Sequence, residues 1–263
     1  MLKNVNYEAR TRKNATFGAL ERENTGLRIC SFGEIDSTNA QAKRMVADGF
    51  DGEYALLAAR RQSAGRGRMG RSFFSPADTG AYFSLLCRVH TPLCEAVTVT
   101  SAASVAVMRA IRTLTGLQTQ IKWVNDLYLN DKKICGILTE TTGIGEARFL
   151  IVGIGINIST EQFPSELQGV AGSIGADHLS SEALITEVCR ALLPYLKDPA
   201  DRSWLSDYRA HSCVLGRRVQ WICEGRGQVG TAEEIDEAGA LLIRTDTGES
   251  VRLFSGEITI RNV

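Results

Sequence analysis

The texture of the chain changes abruptly after Cys213, and that change limits the fold more than any other feature. Arg217–Cys223, Gly227–Ile235, Ala240–Thr245, Ser250–Phe254 and Ile258–Arg261 are short strand-like runs. Turn-forming segments such as Asp236–Gly239 and Asp246–Glu249 separate them. Short strands at this spacing predict a small all-β barrel, with a boundary near residues 212–214.

The preceding residues mix strands and helices. Leu27–Phe32, Tyr54–Ala59 and Tyr82–Val89 read as strands. Asn39–Asp48, capped by Ser37 or Thr38 and stopped by Gly49, reads as a helix. Ala96–Leu114, Glu182–Leu196 and Trp204–His211 read as helices too. Leu127–Leu129 and Lys133–Thr139 flank the hairpin signal Asn130-Asp131-Lys132, and Phe149–Ile158 is a strand that is apolar but for Gly153, Gly155 and Asn157. Residues 1–26 have no clear period and read as a polar arm with room for one short helix. The expectation is an α/β (α+β) unit over residues 27–212, with a β module over 213–263.

Composition closes off several classes of function. Lys plus Arg and Asp plus Glu balance at 30 each, which argues against a broad nucleic-acid surface. No apolar run reaches the roughly 18 residues of a membrane span, and the N-terminus lacks a secretory core. A cytoplasmic protein is expected. The seven cysteines form no C-x-x-C pair, and His90, His178 and His211 lie far apart. Neither a disulfide framework nor a resident metal site is indicated.

Three constellations carry chemistry. Gly65-Arg66-Gly67-Arg68-Met69-Gly70-Arg71 follows a buried strand. Glycines let backbone N–H groups approach an anion, and arginines add forked donors for carboxylate or phosphate. Arg60, Arg61, Arg66, Arg68 and Arg71 have only Glu53 and Asp78 as acids nearby, so an anionic partner is expected. The loop has neither the Walker A nor the dinucleotide-fold spacing. The second constellation is Lys122-Trp123-Val124-Asn125-Asp126 with Lys133-Ile134-Cys135-Gly136-Ile137-Leu138. Strand alternation puts Lys133 and Gly136 on opposite faces unless a bulge intervenes; the bland reading leaves both lysines in solvent with Trp123 in the core. The third is Ile151–Ile158, where two glycines in an apolar strand suggest close packing against a ligand or another backbone. Its one polar residue, Asn157, is on the bland reading a strand-end amide bonded to backbone.

Taken together, these segments resemble the biotin protein ligases. GRGRMGR with FFSP after it carries the likeness, as do KWVNDLYL with KICGIL, IVGIGINI, the upstream Asp36-Ser37-Thr38-Asn39, and Gly256-Glu257-Ile258 with Arg261. The resemblance implies a mixed-sheet catalytic domain similar to class II aminoacyl-tRNA synthetases, followed by an SH3-like barrel. It implies biotin and ATP with Mg2+ as substrates, and a biotin carboxyl carrier domain as partner. Neither nucleic acid nor membrane is expected, and a homodimer is compatible with it. By the same resemblance, Ser37, Thr38, Asn39 and Gln62 meet the biotin head group, with Gly65, Gly136 and Gly153 alongside. Arg66, Arg68 and Lys133 handle the carboxylate and α-phosphate. Arg68, Arg71, Phe73, Lys122, Asn125, Asp126, Asn157 and Arg261 serve the nucleotide, with Mg2+ near Asn157. The sequence departs from the family pattern at Val124, usually proline, and at Phe73, often tryptophan.

Two rivals are weighed against this. A lipoate–protein ligase shares the adenylation logic, but Ser37, Thr38 and Gln62 favour a polar head group over an apolar dithiolane. A biotin-sensing repressor needs a helix-turn-helix of some sixty residues, and only about 26 precede the catalytic unit.

Overall fold

The structure, a computed structural model, describes residues 17–23, 26–90, 96–223 and 225–261. Most of the N-terminal arm and Cys94 lie outside the described residues. What is described of the arm forms a short helix α1 (Gly18–Arg22). Phe17 and Leu20 are buried in the main core, so this end of the arm is not the polar surface segment its sequence suggests.

A seven-stranded mixed sheet is the scaffold of the site. Its elements in chain order are β1 (Leu27–Ile35), α2 (Thr38–Ala47), β2 (Tyr54–Gln62), β3 (Gly80–Val89), α3 (Ala96–Thr115), β4 (Gln120–Lys122), β5 (Asp126–Leu129), β6 (Lys132–Ile144) and β7 (Ala147–Asn157). The strand order is β1-β2-β3-β7-β6-β5-β4. β1 and β2 are parallel, joined through α2, and every other pairing is antiparallel. α4 (Ser181–Lys197) and α5 (Leu205–Ala210) follow. The second sheet is antiparallel, with strands β8 (Arg218–Cys223), β9 (Arg226–Ile235), β10 (Leu241–Thr245), β11 (Ser250–Leu253) and β12 (Ile258–Ile260) in the order β11-β10-β9-β8-β12. The expected fold class is the one found. Among the described residues no helix is long and apolar enough to cross a membrane.

Strand alternation explains the layers. In β7, Leu150, Val152, Ile154 and Ile156 join the core shared with α3 and α4, whereas Phe149 and Ile151 join a second core with Met45 and Val46 of α2. Successive side chains face opposite sides of a sheet, so Gly153, Gly155 and Asn157 continue the α2 face. Cross-strand pairing adds Ser84 and Leu138 beside Gly153, and Tyr82 and Gly136 beside Gly155. The main core also runs without a break from α3–α5 into Val219, Trp221, Ile235 and Leu241 of the second sheet. The buried Trp123 indole N–H donates to the Gly239 carbonyl (2.9 Å), fastening the β9–β10 turn to the first sheet.

Candidate active site

A cavity of about 330 Å3 opens on that continued face. At one end Ser37 caps α2, its hydroxyl accepting from the Ala40 N–H. Arg44 holds Asp36 just upstream by two hydrogen bonds (2.6 and 2.8 Å) and pulls its carboxyl down to about 2. The Thr38 N–H donates to Gln62 Oε1 (2.9 Å), and Gln62 Nε2 donates to Ser75 Oγ (3.0 Å). Ser84 Oγ lies within hydrogen-bond reach of Thr38 Oγ1 (2.7 Å) and Asn39 Oδ1 (2.6 Å).

The opposite end gathers cations. Lys133 and Gly136 both line the cavity, although their odd spacing argued against a shared face. The reason is a bulge: Leu127 pairs with Cys135 and Tyr128 with Lys133, leaving Ile134 as the extra residue. Ile134 and Cys135 are both fully buried, so one inserted residue restores the phase. Lys133 Nζ sits 2.7 Å from Asp126 Oδ1. Arg68 donates to Asn125 Oδ1 (3.0 Å), and the Asn125 amide donates to Asp126 (2.9 Å). Lys122 also lines the cavity, its Nζ 5.7 Å from the Tyr128 ring. Burial raises the Tyr128 hydroxyl to about 12, helped by the Asp126 charge.

Several expectations need correction in detail. Three of the five clustered arginines already have carboxylate partners. Arg60 pairs with Asp78, Arg61 with Glu34, and Arg71 with Glu257 just before β12. Among the described residues neither Arg66 nor Arg68 has a carboxylate within 4 Å, although the Arg66 charge is felt at Glu140, so they are the cations best placed for a bound anion. The β7 glycines make room for side chains of this chain. A Cβ at Gly153 would lie 2.1 Å from Asn39 Oδ1, and one at Gly155 would lie 2.5 Å from the Phe73 ring. Gly65 is buried and does not line the cavity; a Cβ there would meet the Phe73 carbonyl at 2.4 Å. Asn157 partly follows its bland reading, with Nδ2 donating to the Gly172 carbonyl (3.0 Å). Its Oδ1 is buried without a hydrogen-bond partner among the described residues. Arg261 is exposed, held by Gln220 (2.6 and 3.0 Å), and does not line the cavity.

Ser37, Thr38, Asn39, Gln62, Arg66, Arg68, Arg71, Phe73, Lys122, Asn125, Asp126, Lys133, Gly136, Gly153 and Asn157 are brought together. Sequence reasoning missed an apolar rim of Met69, Phe74, Phe163, Leu167 and Val170. Phe74 and Phe163 pack with centroids 6.3 Å apart. No period marks residues 163–171, and Met69 and Phe74 stood in the sequence only as part of the GRGRMGR and FFSP segments. No cluster of three metal-ligating side chains occurs among the described residues.

Residues 34–157 match the biotin/lipoate A/B protein ligase family, and residues 214–261 match the biotin protein ligase C-terminal domain. The chain is 31% identical over 240 residues to the bifunctional ligase/repressor BirA of Bacillus spizizenii, spanning 86% of this chain and 72% of that protein. It is 30% identical over 233 residues to the biotin–[acetyl-CoA-carboxylase] ligase of Paracoccus denitrificans, spanning 82% and 94%. The chain belongs to the biotin protein ligase family. Among solved structures, the biotin protein ligase from Aquifex aeolicus in complex with biotin and ATP is similar to this family member over 90% of the chain and 99% of its own. Its TM-score is 0.73 and its identity 27%.

Proposed function

We propose that the chain joins biotin to ATP as biotinyl-5′-AMP and then transfers the biotinyl group to a lysine of a biotin carboxyl carrier domain in the cytoplasm. The observation that carries this is one cavity with a hydroxyl–amide end (Thr38, Asn39, Gln62) and a cationic end (Arg66, Arg68, Lys133). A molecule with a polar ring and a distant carboxylate matches both. The relatives named as biotin ligases, and the similar structure holding biotin and ATP, support the same reading.

In the first step a biotin carboxylate oxygen attacks the α-phosphorus, and pyrophosphate leaves with the bonding electrons. Two anions must meet, so the residues contribute mainly position and fixed positive charge. Lys133, oriented by Asp126, and Arg66 with Arg68 supply that charge. Arg71, Phe73, Lys122 and Asn125 are the nucleotide side of the assignment. ATP enters with Mg2+, a hard cation that takes oxygen ligands; Asn157, whose Oδ1 has no partner among the described residues, is the residue assigned beside it. In the second step the carrier lysine amine attacks the acyl carbon, AMP leaves, and an amide forms. We assign the chemistry to residues 27–212 and a bracing role to residues 213–263, which place Glu257 at the rim. Pyrophosphate exchange driven by biotin but not by lipoate is the expected result. Exchange driven by lipoate alone would replace this reading by the lipoate–protein ligase one.

A further inference from the structure

We infer that Glu140, backed by Lys43, is a positioning residue for biotin, holding the Asn39 amide so that its oxygen faces the gap left by Gly153. This rests on reading the hydroxyl–amide end as the biotin pocket. Asn39 Nδ2 lies 2.9 Å from Glu140 Oε2 and 3.3 Å from the Leu138 carbonyl oxygen. A carboxylate and a carbonyl can only accept, so the NH2 end must point to them. The amide oxygen therefore turns to Ser84 Oγ (2.6 Å), into space that a Cβ at Gly153 would fill.

From there the order of donors is set along a chain. Ser84, with no exposed surface, donates to Asn39 Oδ1. Its oxygen also lies 2.7 Å from Thr38 Oγ1, and the Thr38 N–H donates to Gln62 Oε1. Glu140 sits on the same β6 face as Leu138 and Gly136, two and four residues away, but does not line the cavity. Lys43 Nζ, one helical turn after Asn39 on α2, lies 2.6 Å from Glu140 Oε1. Burial would raise the Glu140 carboxyl, but the Lys43 ammonium and Asn39 amide, with a smaller contribution from the Arg66 charge, outweigh it and lower it, keeping the group ionised and acceptor-only. Replacing this acid by an amide lets a donor face Asn39 Nδ2, and Asn39 loses its single orientation.

The test is pyrophosphate exchange in the full chain, with biotin and ATP varied separately. Glu140→Gln is expected to raise the KM for biotin about tenfold while kcat and the KM for ATP stay within about twofold. Ser84→Ala should raise the KM for biotin in the same way, and Lys43→Met less, because the carboxylate still accepts from Asn39. A residue needed only for folding would lower the active fraction, so kcat would fall with both KM values unchanged. That pattern in Glu140→Gln, or an unaltered KM for biotin, overturns the inference. Should Glu140→Gln fail to fold, an unaltered KM for biotin in Ser84→Ala overturns it instead. A wild-type chain with no biotin-dependent exchange would sink the functional reading itself, a result distinct from any of these.

Discussion

Gly153→Ala tests whether the cavity floor is built around the Asn39 side chain. The added Cβ would stand 2.1 Å from Asn39 Oδ1, 2.8 Å from Cγ and 2.9 Å from Nδ2. Carbon and oxygen approach no closer than about 3.3 Å even in weak hydrogen bonds, so the amide or the strand must yield by about 1 Å. β7 cannot move easily, because Gly153 is paired with Ser84 on one side and Leu138 on the other. The amide therefore swings out and strains or breaks its bonds to Glu140, Leu138 and Ser84. Overpacking costs about 1–3 kcal/mol, and a lost hydrogen bond to a charged group about 1.5–3 kcal/mol. Partial relaxation makes these overlap, so we expect a total destabilisation of about 2–4 kcal/mol. Urea denaturation of wild type and variant measures it directly. A loss below about 0.5 kcal/mol, the usual range of a neutral surface change, would refute the packing argument.

Lys133→Ala should slow pyrophosphate release about 100- to 1,000-fold, the usual scale for losing one transition-state donor; near wild-type release would remove Lys133 from the reaction. Arg68→Gly cuts the loop's hydrogen bond to Asn125 and should shorten the dwell time of biotinyl-5′-AMP, read by trapping free adenylate; an unchanged dwell time contradicts that role. Asp36→Asn tests the α2 entry. Its folded carboxyl is depressed from 3.8 to about 2 by Arg44, so the pair stabilises the fold fully above the unfolded value, and that stability is lost as pH falls toward about 2. The gap between wild type and Asp36→Asn in urea denaturation should be present at neutral pH and close in acid; a gap unchanged in acid would contradict it.

Much of the scaffold was legible because it follows local rules. A helix cap was readable at Ser37 or Thr38, and Ser37 takes it; Asn130-Asp131-Lys132 was readable as a hairpin turn, with Asn130 and Asp131 at positive φ (51° and 60°), and the residues after Cys213 as short strands. What stayed hidden depends on partners distant in the chain. Arg71 meets Glu257 across 186 positions, so a count of neighbouring acids overstated the free positive charge of the loop. The bulge at Ile134 is a decision about register, made by burying Ile134 and Cys135 together, and no local preference announces it. The two β7 glycines signalled close approach correctly, but spacing cannot say what approaches. Asn39 comes from α2 and Phe73 from the loop, and only the assembled sheet brings them there.

The loop over the cavity is held in two different ways, and the difference suits the proposed reaction. Its root is fixed by backbone: the Phe73 N–H donates to the Gly65 carbonyl (2.9 Å), and the Gly67 N–H to the Arg71 carbonyl (2.7 Å). The Phe73 ring also lies in the space left by Gly155 and Gly136. Its outer contacts are side-chain pairs, Arg68 with Asn125 and Arg71 with Glu257. The Arg71 and Glu257 side chains are 67% and 46% exposed, and such surface ion pairs contribute only about 0–1 kcal/mol. A reactive acyl-adenylate needs cover from water, yet the carrier lysine must reach the same carbon and AMP must leave. A cover with a firm root and cheap outer contacts meets both demands, because it can lift without unfolding the sheet beneath it. Its outer contacts are also divided between the β4–β5 segment and the segment leading into β12. In the proposed reaction the C-terminal unit, fastened through Trp123 and Gly239, would therefore act on the cover through Glu257 and not through a reacting group of its own.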